Sequence, residues 1–472
     1  MALTITTQPT SIDVANNNIL YSLTSNTSSS PQYKMVCDIF ESGSSTLIQR
    51  IKQQPNLSGV GVFDIGQVIQ SHIGELNSPT TTTNNYSVAN ITDLGNVINR
   101  YTVKFGEEWG LSTSSSVVLY NGTTNAVGQP AQSGSNFITV FNGLADPNQK
   151  SSWQWNPPVT KWYPTTTAPY TSSLSPQFNY QVILTNMPRT SSIRDGEFLG
   201  LSFLQGNNDA TFTITAQAQD IFATQISWYD SSNALLTTQQ YLNYTTLGGG
   251  PRAGVTATWA TAATQNNLKG ADGERYQLVT MNAGPGNIVG GYPAGWNYAI
   301  ISFHPQDKAG FFINTSSSWD RFRLNKSEPA CDYTGVRFAW KNEYGVYDYY
   351  TFDLQNNKTN AITRESFEQS FVPYGTTTST VPYSRARRGT KQFYNTPVQT
   401  QTANSDWLNQ AHANWLKELF FSANVYIYDS TYSWIPVIIT SAECIEKTNP
   451  RTQTLFQYQI EFQVANQYNP RL

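Results

Sequence analysis

The chain has 472 residues, of which only 12% are charged, against roughly 25% in an ordinary soluble domain, and its formal net charge is −3. Ser, Thr, Asn and Gln account for 174 residues and aromatics for a further 13%. So many aromatics with so little charge exclude a disordered chain and a nucleic-acid coat protein, and no apolar run approaches the ~20 residues that span a bilayer.

The first nine residues, Met1 to Pro9, lack the basic and long apolar stretches of a signal peptide. Cys37, Cys331 and Cys444 are odd in number and far apart, so they read as reduced, mostly buried thiols of a protein made in the cytoplasm. Tyr33 to Phe40 alternates apolar and polar residues, Glu41 to Ser45 has turn chemistry, and Thr46 to Gln53 resumes the pattern, which predicts a hairpin. Asp64 stands as N-cap before a helical turn over 65–72. Strands are expected at 99–107, 115–120 and 136–141, giving an N-terminal β-sandwich over 1–145.

Residues 146–180, with Trp153, Trp155 and Trp162 among prolines, read as an extended connector lying against a surface. A central β domain follows over 181–334. Its strands are expected at 198–204, 210–217, 224–229, 235–241, 298–304 and 319–324, with a turn at 230–233 and glycine-rich loops at 248–252 and 282–295. The last segment, 335–472, begins with two aromatic strands, 336–340 and 346–352, around a turn. It carries one packed helix over 405–421, with Ser405 as N-cap and Leu408, Ala411, His412, Trp415, Leu416, Leu419 and Phe420 on its apolar side. Strands at 422–429, 434–446 and 454–464 close the chain. In the last, Phe456, Tyr458, Ile460, Phe462 and Val464 share a face that the helix covers. The fold class is therefore mainly β, as multi-domain antiparallel sandwiches with a C-terminal β-rich unit carrying one helix.

Catalytic constellations are lacking. His72, His304 and His412 lie in separate regions outside any nucleophile context, and His412 reads as a structural histidine. No CxxC, HxH or HExxH offers a metal site, and Gly284-Pro-Gly286 lacks the spacing and following helix of a dinucleotide loop. The acidic pairs Glu107/Glu108, Asp195/Glu197 and Glu365/Glu368 are no more than neighbours in sequence. No catalytic residue, cofactor or metal is expected. One basic cluster, Arg385, Arg387, Arg388 and Lys391, concentrates the scarce charge and suits docking to an acidic neighbour or contact with DNA in a channel.

The stretch Val336-Arg-Phe-Ala-Trp-Lys-Asn-Glu-Tyr-Gly-Val-Tyr-Asp-Tyr-Tyr-Thr-Phe352 resembles a hairpin of virion structural proteins from tailed phages of Bacteroidota, including crAss-like phages. There the pattern is an apolar strand, Asn, two residues, Gly, an aromatic-Asp-aromatic run and Thr-Phe. The downstream order of Arg-rich loop, helix and three strands is similar, as are Gly61 to Ile65 and Tyr120-Asn-Gly122. The likeness covers about half of the chain; Lys341 replaces a Leu common in relatives, and 146–330 is unmatched. It implies a non-enzymatic tail, collar, hub or baseplate subunit in the virion, forming cyclic rings with its own copies and contacting neighbouring virion proteins.

Expected inter-subunit contacts are Trp153, Trp155, Trp162, Tyr292, Trp296, Arg385, Arg387, Arg388 and Lys391. The alternatives are a receptor- or glycan-binding fibre or fibre anchor, whose loop Tyr, Trp and Asn would bind host sugars, and a capsid or decoration protein. No membrane partner is expected.

Overall fold

Alternation of apolar residues is what turns this chain into sheets, and a computed structural model shows the result. It describes residues 3–9, 12–41, 46–74, 79, 86–88, 98–124, 126–131, 137–143, 183–205, 220–242, 277–306, 320–328, 334–368, 389–441 and 455–465. The expected strand at 210–217, the connector at 146–180, the loop at 248–252, Cys331 and Cys444 lie outside these residues. The chain forms two compact units, Met1–Glu328 with Lys341–Tyr349, and Pro329–Trp340 with Tyr350–Leu472. The segments expected as N-terminal and central domains fall in the first as far as Glu328, and so does 341–349 of the expected C-terminal domain.

The first unit opens with a sandwich. One sheet pairs β1 (Thr4–Thr7), β3 (Leu20–Thr24) and β6 (Val60–Asp64). The other runs β2 (Ile12–Val14), β10 (Phe137–Phe141), β8 (Ile98–Trp109), β4 (Lys34–Glu41) and β5 (Leu47–Gln53), with β9 (Val118–Asn121) beside β8. The predicted hairpin is β4–β5, with Cys37 opposite Ile51. Residues from both sheets share one core: Tyr21 and Phe63 each pack on Phe105, with ring centroids 5.3 and 6.2 Å apart. Cys37 is free and buried. Helix α1 (Gly66–His72) follows β6. The N-cap is Ile65, with no side-chain cap bond, not Asp64 as expected; one residue earlier, Asp64 Oδ1 accepts from Gly66 N at 2.9 Å and from Ile19 N at 3.0 Å, tying the helix start to the chain entering β3.

A second pair of sheets follows. In one, β11 (Thr190–Ile193), β17 (Asp320–Lys326), β16 (Tyr298–Gln306), β13 (Asp220–Tyr229) and β14 (Leu235–Leu242) are adjacent in that order. In the other, β12 (Gly200–Gln205) and β15 (Gln277–Asn282) are joined by β7 (Tyr86–Val88), a strand donated from the N-terminal segment. Phe203 and Phe303 meet edge to face, 6.1 Å apart. The predicted turn at 230–233 is present: Asp230 Oδ1 accepts from Ser232 N, Ser232 Oγ and Ala234 N at 2.7–2.8 Å, and Asn233 takes the left-handed conformation.

The strands of the second unit lie in a seven-stranded sheet, of which Lys341 and Tyr347–Tyr349 belong to the first unit. Its order is β19 (Tyr347–Phe352), β18 (Val336–Lys341), β22 (Val425–Asp429), β23 (Ser433–Ile439), β24 (Gln459–Val464), β21 (Thr390–Asn404) and β20 (Asn357–Glu368). Phe338 on β18 touches Phe462 on β24 with centroids 5.0 Å apart, although two strands separate them. A flat sheet would hold them ~14 Å apart at ~4.8 Å per strand, so the sheet curls. Leu354 N then donates to Asn404 O at 3.2 Å, returning the chain after β19 to β21.

Helix α2 (Gln410–Phe421) packs on this unit through Trp415, 5.1 Å from Trp340 and 6.0 Å from Tyr350, while Phe420 meets Tyr458 at 5.6 Å. It starts later than the sequence predicted. The N-cap is Asn409, whose Oδ1 accepts from His412 N, not Ser405. Ser405 bridges to the last strand region instead: its N donates to Tyr458 O and its Oγ accepts from Tyr458 N, both at 2.8 Å. That bridging holds 405–408 extended, with Leu408 paired to Phe456. Ala411 is exposed, and Ala413 takes the buried place assigned to it. Phe456, Tyr458, Ile460 and Phe462 are buried as predicted, and Val464 partly so.

Four tyrosines of the first unit, Tyr21, Tyr33, Tyr101 and Tyr241, are buried, and burial is the main reason their hydroxyls resist ionisation. For Tyr33, donation to the Glu107 carboxylate adds to this; Tyr241, whose Oη donates to Val289 O, is pushed up to about 12. The unfolded chain ionises near 10 and so binds fewer protons than the folded one above that pH, which makes stability fall as pH rises from about 10. Tyrosinate absorbance is expected to appear together with loss of the circular dichroism signal. Reversible ionisation of all four in an intact fold would contradict this.

Candidate contact surfaces

Of the nine residues expected at inter-subunit contacts, Trp153, Trp155, Trp162, Arg385, Arg387 and Arg388 lie outside the described residues. Tyr292 and Trp296 are brought together; Lys391 is elsewhere, on β21.

The start of the loop leading to Tyr292 is anchored by Asn287. Asn287 Oδ1 accepts from Gly284 N at 2.9 Å and Leu199 N at 3.2 Å, and its Nδ2 donates to Leu199 O at 3.2 Å. Gly286 N adds a bond to Glu197 O at 2.8 Å. The glycines at 284 and 286 therefore serve close packing of two loops. Beyond Ile288 the loop emerges, exposing Val289 and Tyr292.

Beneath Tyr292 sit Trp228 and Trp296, both almost fully buried, with centroid distances of 6.2 and 5.9 Å to the tyrosine and 5.1 Å to each other. Each indole has a fixed acceptor. Trp228 Nε1 donates to Gln239 Oε1 at 2.7 Å, and Gln239 in turn donates to Gly291 O. Trp296 Nε1 donates to Asp195 Oδ1 at 2.8 Å, and Lys326 Nζ reaches Asp195 Oδ2 at 2.8 Å. That carboxylate holds the Lys326 ammonium above its usual pKa. Alongside, Arg323 stacks on Tyr298 at 3.8 Å, and Tyr298 on Tyr229 at 4.8 Å. Trp296 is thus a core support, and Tyr292 is the exposed member of the group.

The second surface was not foreseen as a strand pair. Strands β20 and β21 form a ribbon from Asn357 opposite Thr402 to Glu368 opposite Thr390, with one bulge where Phe393 stands between the partners of Glu365 and Ser366. Only Gln401 to Asn404 of β21 also pair with β24. All twelve residues of β20 are exposed. The ribbon carries Lys391, along with Ile362, Phe367 and Phe393, which are 45%, 47% and 70% exposed. The Phe367 and Phe393 rings meet at 6.5 Å. A matching pair of Thr-rich polar segments flanking a Pro, Gly and Ser-rich stretch was the signal available for it.

The acidic pairs do not assemble into facing carboxylates. Successive positions on β8 place Glu107 and Glu108 on opposite faces. Glu107 accepts from Tyr33 Oη at 2.7 Å and Thr27 Oγ1 at 3.1 Å, while Glu108 binds Lys52 and Lys34. Glu197 accepts from Arg194 N within a turn. Glu365 and Glu368 lie on the ribbon. His412 Nδ1 lies 2.9 Å from its own cap, Asn409 Oδ1, and its ring abuts Trp415. Among the described residues no group of three or more His, Cys, Asp or Glu side chains gathers, and no helix is long and apolar enough to cross a membrane.

No protein-family model and no curated protein matches the chain.

Proposed function

We propose that this chain is a non-enzymatic structural subunit of a tailed-phage virion, made in the host bacterial cytoplasm and built into a ring or collar of the tail, hub or baseplate. It acts through contacts with its own copies and with neighbouring virion proteins.

The observation that carries this reading is the chemistry of the hairpin behind the phage resemblance. Its distinctive residues hold shape. Asn342 Oδ1 accepts from Tyr344 N at 3.0 Å and Val346 N at 3.3 Å, and its Nδ2 donates to Leu184 O at 2.9 Å. Asp348 accepts from Thr185 Oγ1 at 2.9 Å while buried, and Tyr344 Oη donates to Asn186. Gly345 supplies the left-handed turn. A sequence signature made of such residues marks an architecture, and supports a protein whose work is to be a building block.

Mass spectrometry of purified particles, followed by imaging at a resolution that traces the chain, tests this. The protein is expected in multiple copies around a symmetry axis. Its absence from particles would overturn the reading, and specific micromolar binding to a host glycan would favour the receptor-binding alternative.

A further inference from the structure

We propose that residues 405–408 form a two-state strap. Paired with 455–458 they stand as extended chain, and released from it they become the first turn of a longer helix α2. This device is independent of the structural-subunit reading.

A short ladder holds the strapped state. Ser405 N donates to Tyr458 O at 2.8 Å and Leu408 N to Phe456 O at 2.7 Å. In the other direction, Phe456 N donates to Leu408 O and Tyr458 N to Ser405 Oγ, both at 2.8 Å. Gln457 Nε2 adds a bond to Ser405 O at 3.3 Å. The stretch 455–458 precedes β24 and has no second strand partner among the described residues.

The same four residues carry what the other state requires. Ser405 has N-cap chemistry, and Asp406 would stand in the first turn, where a carboxylate complements the macrodipole. No Pro or Gly occurs between 405 and 421. Ser405 and the observed cap, Asn409, are four residues apart, so moving the start from one to the other adds about one turn. Leu408, 4% exposed in the strap, would stand four residues before His412 and seven before Trp415, on the helix face where those two rings meet. Trp407 is 59% exposed, so its burial does not hold the strap.

The bonds exchange nearly like for like. Release breaks the ladder, the Gln457 bond and the Asn409 cap on His412 N. The longer helix gains i→i−4 bonds from the amides of 409–412 and a cap at Ser405. The backbone of Phe456 and Tyr458 tips the balance toward the strap, because release leaves its polar groups to find other partners. The released form is thus the minor state, and whatever binds only that form raises its population.

Amide hydrogen exchange at single-residue resolution on the full chain tests this, because the two states protect different amides. Phe456 N–H is bonded in the strap alone, and Ala411 N–H in the longer helix alone, to Trp407 O. F456P removes a central donor of the ladder and is expected to slow Ala411 exchange at least roughly tenfold. Q410P keeps the strap, since proline suits the first helical position and Asn409 is already extended, but it forbids the longer helix by removing the Gln410 N–H and crowding Asp406 O. The double variant should therefore lose the slowing seen in F456P. In Q410P alone, Phe456 exchange should be slower than in the unaltered chain, because its opening route is closed. Fast Ala411 exchange in a folded F456P, or slowing that survives Q410P, would overturn the strap. If F456P fails to fold, equal Phe456 rates in Q410P and the unaltered chain would overturn it. Neither result bears on the structural-subunit reading, which virion imaging judges separately.

Discussion

Gly345→Ala is expected to destabilise the first unit by about 3 kcal/mol, or roughly 4 °C in melting temperature. Two effects combine at this residue. Its φ of +78° costs an L side chain about 1–2 kcal/mol. A Cβ would also fall 1.3 Å from Asn142 O, a backbone atom that cannot rotate away. Gly196 provides the control, because its φ is +77° but nothing lies within 4 Å of a Cβ there. Gly196→Ala should therefore show the dihedral cost alone, about 1 kcal/mol. Equal losses in the two variants, measured by urea unfolding, would mean that the hairpin tip is not held against residue 142.

The second large effect is expected at Arg50→Met. Asp38 is 2% exposed, and Arg50 meets it with two bonds of 2.7 Å, from Nε to Oδ1 and from Nη2 to Oδ2. Removing the guanidinium leaves a buried carboxylate without its cation, which commonly costs 3–5 kcal/mol. Arg50 is 28% exposed, so water can enter, and about 2–3 kcal/mol is the expected loss. Adding Asp38→Asn should recover more than half of it, since the amide needs no counter-charge. A double-mutant cycle with no coupling would show the pair to be indifferent to stability.

Both sites differ in how visible they are from sequence. The β4–β5 and β18–β19 hairpins could be read from two-residue alternation and turn chemistry, and so could the mainly β class. The helix was legible from Trp415, Leu416 and Leu419, but not its start. Ser405 followed by Asp406 has cap chemistry, yet pairing of 405–408 with the region of Phe456 and Tyr458 competes for those residues and wins. The β20–β21 ribbon was not anticipated because β20 has no buried face, and periodicity reports burial rather than pairing. Short strands such as β7 are invisible for a related reason: three residues carry no period, and their partner is distant in the chain. Tyr292 and Trp296, both expected at contacts, stand next to each other. Sequence alone could not separate the exposed one from its buried support.

The composition of the first unit also sets an order of events during synthesis. It contains Lys341–Tyr349, and its second sandwich includes a strand from residues 86–88. At ~5–20 residues per second, roughly 10–40 s of translation separate the emergence of β7 from that of its partner β15. The hairpin tip that closes around Gly345 follows later still. A nascent chain therefore carries an incomplete sheet for much of its time on the ribosome, and a premature stop before residue 341 leaves the first unit unfinished rather than shorter.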